Sequence, residues 1–383
     1  MNVSIHESLL KRESELNNPS VSLSSVSTSD IDAAENELNS LSEDSNLSFV
    51  LNKQKEAIKA VSPRNTETDI SNALLGSIND AALELEIISG WTEGGKAMFT
   101  SALSGMFDNI AKNGVSGIEL EDTLQIIILE AMVNAEQYGL TEWINKSDIK
   151  PCIEHLLEST GSASHGIHED PWKTPENIAK GAEYILKSLL NSATISPGTL
   201  LHKVLNNSGL STEEGIKNLY SQIKNNYHSS DGWLIFNNGT PSNKLSPLIT
   251  MMIMSDVLKQ EPALSRDEMN AILNLDRTGI EDIIKKTLGK NNIQEWIRDN
   301  NKWQIQTGNA DEGGHGGQVD WIGNGLDLDD LESIYSNFPS RILSDEDIKD
   351  INRIGDNVKM IMQTLKYWFQ ILRDERVAIA RNI

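Results

Sequence analysis

His165 and His168, followed by Glu169 and Asp170, form the densest set of metal-ligand side chains in this sequence. Two imidazoles and two carboxylates suit a divalent transition metal when a fold converges them. Their spacing matches no zinc signature, and the surrounding Gly, Ser and Pro residues place them in a polar loop between helices. Gly308–Gly317 is the most glycine-dense stretch, but it lacks the Gly-Lys-Ser/Thr ending of a phosphate loop, and Asp311 and Glu312 would repel phosphate. It reads as a surface loop between Trp303 and Trp321. Asp327, Asp329 and Asp330 are spaced faintly like a calcium loop, without its central glycine and closing glutamate. An acidic helix start, where carboxylates meet the positive end of the dipole, accounts for them better. No Gly-x-Ser-x-Gly, His-Glu-x-x-His or kinase-type set is present. No catalytic residue, cofactor or metal ligand is therefore nominated, and the chain is read as a protein other than an enzyme.

Composition narrows the partners. The 383 residues carry 56 acidic against 33 basic side chains, a formal charge of -23 that disfavours nucleic acid and anionic lipid. Mean hydropathy is -0.36, so a core can form within an unusually polar chain. The single cysteine, Cys152, rules out a disulfide framework and reads as a small core residue at the start of an apolar helix. The longest apolar stretches, Ile126–Leu129 and the region from Leu248 to Leu258, fall short of the roughly 20 residues that span a bilayer. Residues 1–30 have no apolar centre of a cleaved signal peptide, since Leu9 and Leu10 run straight into Lys11 and Arg12.

Helices must position whatever this chain does. The first fifty residues hold thirteen serines, too polar to bury a core, and are expected to be unstructured apart from a short helix over 30–41. After Pro63 the pattern is helical. Ile70, Leu74, Ile78, Ala81, Leu85 and Ile88 share one face of a long helix ending at Gly90. Further helices are expected over 95–112, 119–138, 140–160, 176–192, 212–227, 247–260, 266–273, 279–288 and 293–303, separated by glycines such as Gly139, Gly209 and Gly289. Met251, Met252 and Met254 read as core. Strand signals are confined to Trp233–Phe236 before Asn238-Gly239, giving a hairpin near 233–243, and to the stretch around Trp303–Gln306. The fold class is mainly α: a helical bundle with a long coiled-coil-like C-terminal helix and at most a small β-hairpin insertion. Its expected divisions are a leader at 1–66, a helical body at 67–340 and an assembly helix at 341–383.

The most informative pattern lies at the C-terminus. Ile351, Ile354, Val358, Ile361, Leu365, Trp368, Leu372 and Ile379 recur at intervals of three and four, interrupted where Glu375 takes a seam position. Such a seam is a surface for packing along another helix. With Arg376 these residues are the candidate interface, and Arg373, Arg376 and Arg381 make a basic end in an acidic chain. The stretch Asn352-Arg353-Ile354-Gly355-Asp356-Asn357-Val358, running through Leu365, Tyr367 and Trp368 to Asn382-Ile383, resembles the terminal helix of hydrophilic translocators of bacterial type III secretion systems. These are the proteins of the needle tip or the filament extending it. Asp231-Gly232-Trp233-Leu234 is loosely similar to an element of tip proteins.

The resemblance implies a secreted structural protein, exported by a leaderless route and placed at the bacterial cell surface. Its implied partners are the needle subunit or other translocators, further copies of itself, and a secretion chaperone bound through residues 1–60. The short helices between Gly95 and Leu288 are similar instead to gatekeeper proteins that regulate the same export apparatus. A secreted effector is the third reading.

Overall fold

The structure, a computed structural model, describes residues 28–42, 45–61, 65–165, 171–172, 174–227, 243–305, 319–322 and 326–381. Its elements in chain order are α1 (Thr28–Asn39), α2 (Leu47–Ala60), α3 (Asn65–Glu93), α4 (Gly95–Asn113), α5 (Ile118–Val133), α6 (Ala135–Tyr138), α7 (Thr141–Ile144), α8 (Lys150–Ser159) and α9 (Pro175–Ser192). They continue as α10 (Leu200–Ser208), α11 (Glu213–Asn226), α12 (Pro247–Gln260), α13 (Arg266–Leu273), α14 (Arg277–Leu288), α15 (Ile293–Asp299), β1 (Trp303–Ile305), β2 (Val319–Trp321), α16 (Leu328–Ser336) and α17 (Asp345–Arg381). The fold is mainly α. Two compact units divide it, residues 1–78 with 357–383 and residues 79–356, so that α3 and α17 each contribute to both.

In the larger unit, α5 is buried from Leu120 to Val133 on all its faces, which requires neighbours all round. It packs against α4, α8, α10, α11 and α12. Glu121, Asp122, Thr123 and Gln125 on this helix find hydrogen-bond partners inside the protein. Gln125 donates to the carbonyls of Leu157 (2.9 Å) and Thr160 (2.6 Å) and accepts from the Leu248 amide (3.0 Å). Met251, Met252 and Met254 on α12 are buried core, as their setting in the sequence implies. Cys152 is buried too; its thiol faces the Gly181 carbonyl at 3.6 Å, and burial pushes its pKa up to about 12. That environment keeps it a thiol and makes it inert.

Local chemistry sets the helix ends. Thr174, Thr199, Thr212, Ser246 and Asn292 each accept an amide hydrogen bond as N-caps, and Ser265 with Glu268 forms a full capping box. Asp327 caps α16 by accepting from the Asp329 amide at 2.9 Å, in line with an acidic helix start. Two expected long helices are broken. Helix 119–138 splits at Asn134, whose side chain turns aside to Thr100 and Glu130. Helix 140–160 is interrupted at 145–149, before Pro151 at the first turn of α8. Helices α2 and α10 were not expected from the sequence pattern.

The strand at Trp303–Ile305 forms, and its antiparallel partner is Val319–Trp321, with Trp303 opposite Trp321. That partner strand carried no recognised sequence signal. The Trp321 amide donates to Glu158 at 2.6 Å, which ties the ribbon to α8. The hairpin expected near 233–243, the Gly308–Gly317 loop, and His168 with Glu169 and Asp170 lie outside the described residues.

A buried clamp holds the entry to α17 within this unit. Arg341 is fully buried, donating to Asp347 at 2.8 Å and to the Leu264 carbonyl at 3.1 Å. Its guanidinium lies 4.9 Å from the Trp91 ring centre, and its amide donates to the Trp91 carbonyl. Asp347 also accepts from the amide and hydroxyl of Ser344, each at 2.7 Å. The last turn of α3, the α12–α13 turn and the start of α17 thus converge on one cation.

The smaller unit draws its buried side chains from four helices: Ile31, Ala34 and Leu38 of α1, Leu51, Ala57 and Ile58 of α2, Leu74 and Ile78 of α3, and the C-terminal part of α17. Helices α1 and α2 pack as a hairpin linked by Lys53 of α2, which pairs with Glu37 of α1 and with Glu56 of its own helix, each at 2.8 Å. Among the described residues, the leader region contains the expected short helix, as α1, and a second helix, α2, each with a buried apolar face. Period-3.6 spacing in Val50, Leu51, Gln54, Ala57 and Ile58 supplies the reason: a serine-rich average conceals an amphipathic stretch.

Candidate functional site

Helix α17 carries the candidate interface, and the structure gives it two distinct faces. The first is the seam. Ile354, Val358, Ile361, Leu365, Trp368, Leu372 and Arg376 are all buried, while Ile351 is half-buried and the Ile379 side chain lies outside those described. Phe369, missed in the sequence pattern, is fully buried beside Trp368, with ring centres 5.6 Å apart. It extends the row Leu365, Phe369, Leu372, Arg376, which has helical spacing and was legible in principle.

The seam is therefore covered within the chain, not presented to solvent. The covering helices are those of the N-terminal hairpin. Gln54 of α2 donates its side-chain amide to the Val358 carbonyl at 3.0 Å. Arg373 donates to Asp32 at 2.9 Å and also pairs with Glu35, both on α1. Arg376 reaches the Val61 carbonyl at 3.5 Å. The expected free basic end is thus largely taken up internally: Arg373 is neutralised by two carboxylates, and Arg376 is buried. Hydrogen bonds donated to Glu35 and Asp32 hold the Arg373 guanidinium above its ordinary range. On the opposing helix, Ile70 is exposed, whereas Leu74, Ile78, Ala81 and Ile88 of the expected α3 face are buried.

The second face is apolar and open. Met360 is 59% exposed, Tyr367 66% and Ile371 39%, spaced seven and four apart along one side of α17. Thr364, also exposed, fills the intervening turn. Sequence reading followed the stronger seam and passed over this weaker one, although its spacing is equally regular. The exposed face has the features of an interaction surface: three large apolar side chains in line on a helix, bordered by polar Gln363, Gln370 and Asp374.

The described start of the expected polar loop, residues 161–165, is instead part of the interior. His165 is buried, its Nε2 lies 2.8 Å from a Glu121 carboxylate oxygen, and its ring stacks on Tyr227 at 4.2 Å. Among the described residues, no three His, Cys, Asp or Glu side chains group as a metal centre. Among the same residues, no helix is long and apolar enough to cross a membrane. No known protein family, characterised protein or solved structure matches this chain.

Proposed function

We propose that this protein is a secreted structural component of a type III secretion apparatus, a needle-tip or hydrophilic translocator protein. It assembles through its C-terminal helix to support delivery of other proteins into host cells. The observation that carries this reading is the pairing of the two chain ends: Arg373 on α17 bonded to Asp32 and Glu35 on α1, more than 300 residues away in sequence. A seam of coiled-coil type, covered by a separate N-terminal hairpin, is what an assembly helix needs before its partners arrive. Uncovered, it would bind other copies prematurely. In this reading the hairpin is a built-in cover, and the open face with Met360, Tyr367 and Ile371 is presented to neighbouring copies of this chain.

Two variants separate the faces. Tyr367→Asp alters a solvent-facing position, so the protein is expected to melt within about 1 kcal/mol of the parent while losing surface assembly. Removing residues 1–61 uncovers the seam and is expected to convert the protein into soluble oligomers, read by light scattering. Normal surface assembly by Tyr367→Asp, together with a monomeric truncation, would sink the assembly reading. The run of helices between Gly95 and Leu288, α4–α14, supports the second reading, a gatekeeper controlling export. Fractionation distinguishes the two, because a gatekeeper stays in the bacterial cytosol.

A further inference from the structure

The larger unit holds a group of buried ionisable side chains that the assembly reading does not use. Glu121 and Asp122, adjacent on α5, are both fully buried. Facing them is the turn at 161–165. Asp122 accepts from the Ser162 amide and the Ser162 hydroxyl, each at 2.7 Å. Glu121 accepts from the Gly161 amide at 3.1 Å and sits 2.8 Å from His165 Nε2. Gly161 has φ +90°, and a Cβ there would stand 2.9 Å from Asp122 Oδ1, so the turn approaches the carboxylates as closely as it does because glycine occupies this position. A second strand of contacts closes the group from the other side: Ser164 bonds to Ser246 at 2.9 Å, and Gln222 of α11 reaches Glu121 at 3.3 Å.

Charge is the unusual part. Two neighbouring carboxylates share a dry site, where like charges disfavour simultaneous ionisation. The groups that act on Asp122 are Glu121 on its own helix, Ser162 from the turn, and Lys244 from the segment before α12, itself paired with Glu119 at 2.9 Å, while His165 faces Glu121. Tyr227, stacked on His165, closes the remaining side of the imidazole. We propose that Glu121, Asp122, Ser162 and His165 form a proton-sensitive latch that holds the 161–165 turn on α5, tight in mild acid and loosened above neutrality.

In the tight state Asp122 is neutral and bonded to Ser162, beside Glu121, which is set against His165. As pH rises, Asp122 loses its proton and a charge is created beside Glu121 at a position closed to solvent. Burial pushes the Asp122 carboxyl up to about 7, with Glu121 adding to the rise and the Ser162 hydrogen bonds and Lys244 opposing it. Its value in the closed state lies above that of an open, solvated aspartate. The stabilisation it contributes is thus present in acid and lost as pH rises through about 7.

Hydrogen exchange of the full-length protein, read on peptides covering 161–165 and corrected for intrinsic rates, tests this. Protection is expected to fall about tenfold between pH 6 and pH 8.5, the change for a carboxyl that titrates near 7 when closed. Asp122→Asn keeps both contacts to Ser162 without the charge, and its protection is expected to be equal at the two pH values. Lys244→Met removes the cation that opposes the rise and is expected to move the midpoint of the loss to higher pH. Equal protection of the parent protein at both pH values would overturn the latch. So would a tenfold fall that persists in Asp122→Asn, or, should that variant not fold, a midpoint in Lys244→Met that stays put or moves down.

Discussion

Leu365→Asp is expected to unfold the smaller unit. Leu365 is fully buried in the middle of the α17 seam, between Ile361 and Trp368 and beside Phe369. Removing its apolar side chain alone costs about 2–5 kcal/mol, from lost transfer free energy and the cavity left behind. A carboxylate in that position adds a desolvation cost unless it takes up a proton or the helix moves to wet it. The sum reaches into the range of whole-domain stability, about 5–15 kcal/mol. Circular dichroism should show an early loss of helix, and protease should cut α1 and α2 as well as α17, because the hairpin loses the surface it covers. Unchanged helix content and melting would mean that the seam is not packed inside the chain. Loss of assembly in this variant therefore follows from loss of folding, whereas Tyr367→Asp reports on the open face alone. The two substitutions sit only two residues apart, yet they probe opposite sides of one helix.

Arg341→Met has the second largest expected effect, in the larger unit. Arg341 is fully buried and Asp347 nearly so, and removing one partner of such a pair leaves the other charge uncompensated, at about 3–5 kcal/mol. The same change removes the donor to the Leu264 carbonyl and the ring contact with Trp91. Urea unfolding followed by tryptophan fluorescence should show a midpoint well below that of the parent protein. Adding Asp347→Asn to Arg341→Met should recover part of the loss, since the buried charge is then gone. If the double variant is no better than the single, the cost lies in packing, not in the unpaired charge. Acid should act in the same direction. Burial alone would push Asp347 up, but the hydroxyl and amide of Ser344 and the charge of Arg341 outweigh it and hold the carboxyl below its ordinary range. The clamp's contribution is therefore present above the usual aspartate value near 3.8 and is lost as pH falls below it. These two buried carboxylates thus respond to pH with opposite signs: Asp347 weakens its clamp in strong acid, and Asp122 weakens its latch above neutrality.

The sequence by itself determined that this protein is helical, where most of its helices begin and end, and that its terminal helix carries a long apolar seam. Those are local properties. Spacing of three and four reports on one helix's own face, and capping residues such as Ser265, Thr212 and Asp327 act within a single turn. What covers the seam was decided only in the tertiary structure. Asp32 and Arg373 carry no sign in the sequence that they meet, because opposite charges more than 300 residues apart have many equivalent partners in a chain with 56 acidic residues. The same holds for His165. Its glycine- and serine-rich neighbours have the composition of a surface loop, and it became interior only because α5, buried on every face, placed Glu121 and Asp122 where that turn closes. Burial depends on all the elements that surround a residue, and a one-dimensional pattern contains only those adjacent to it.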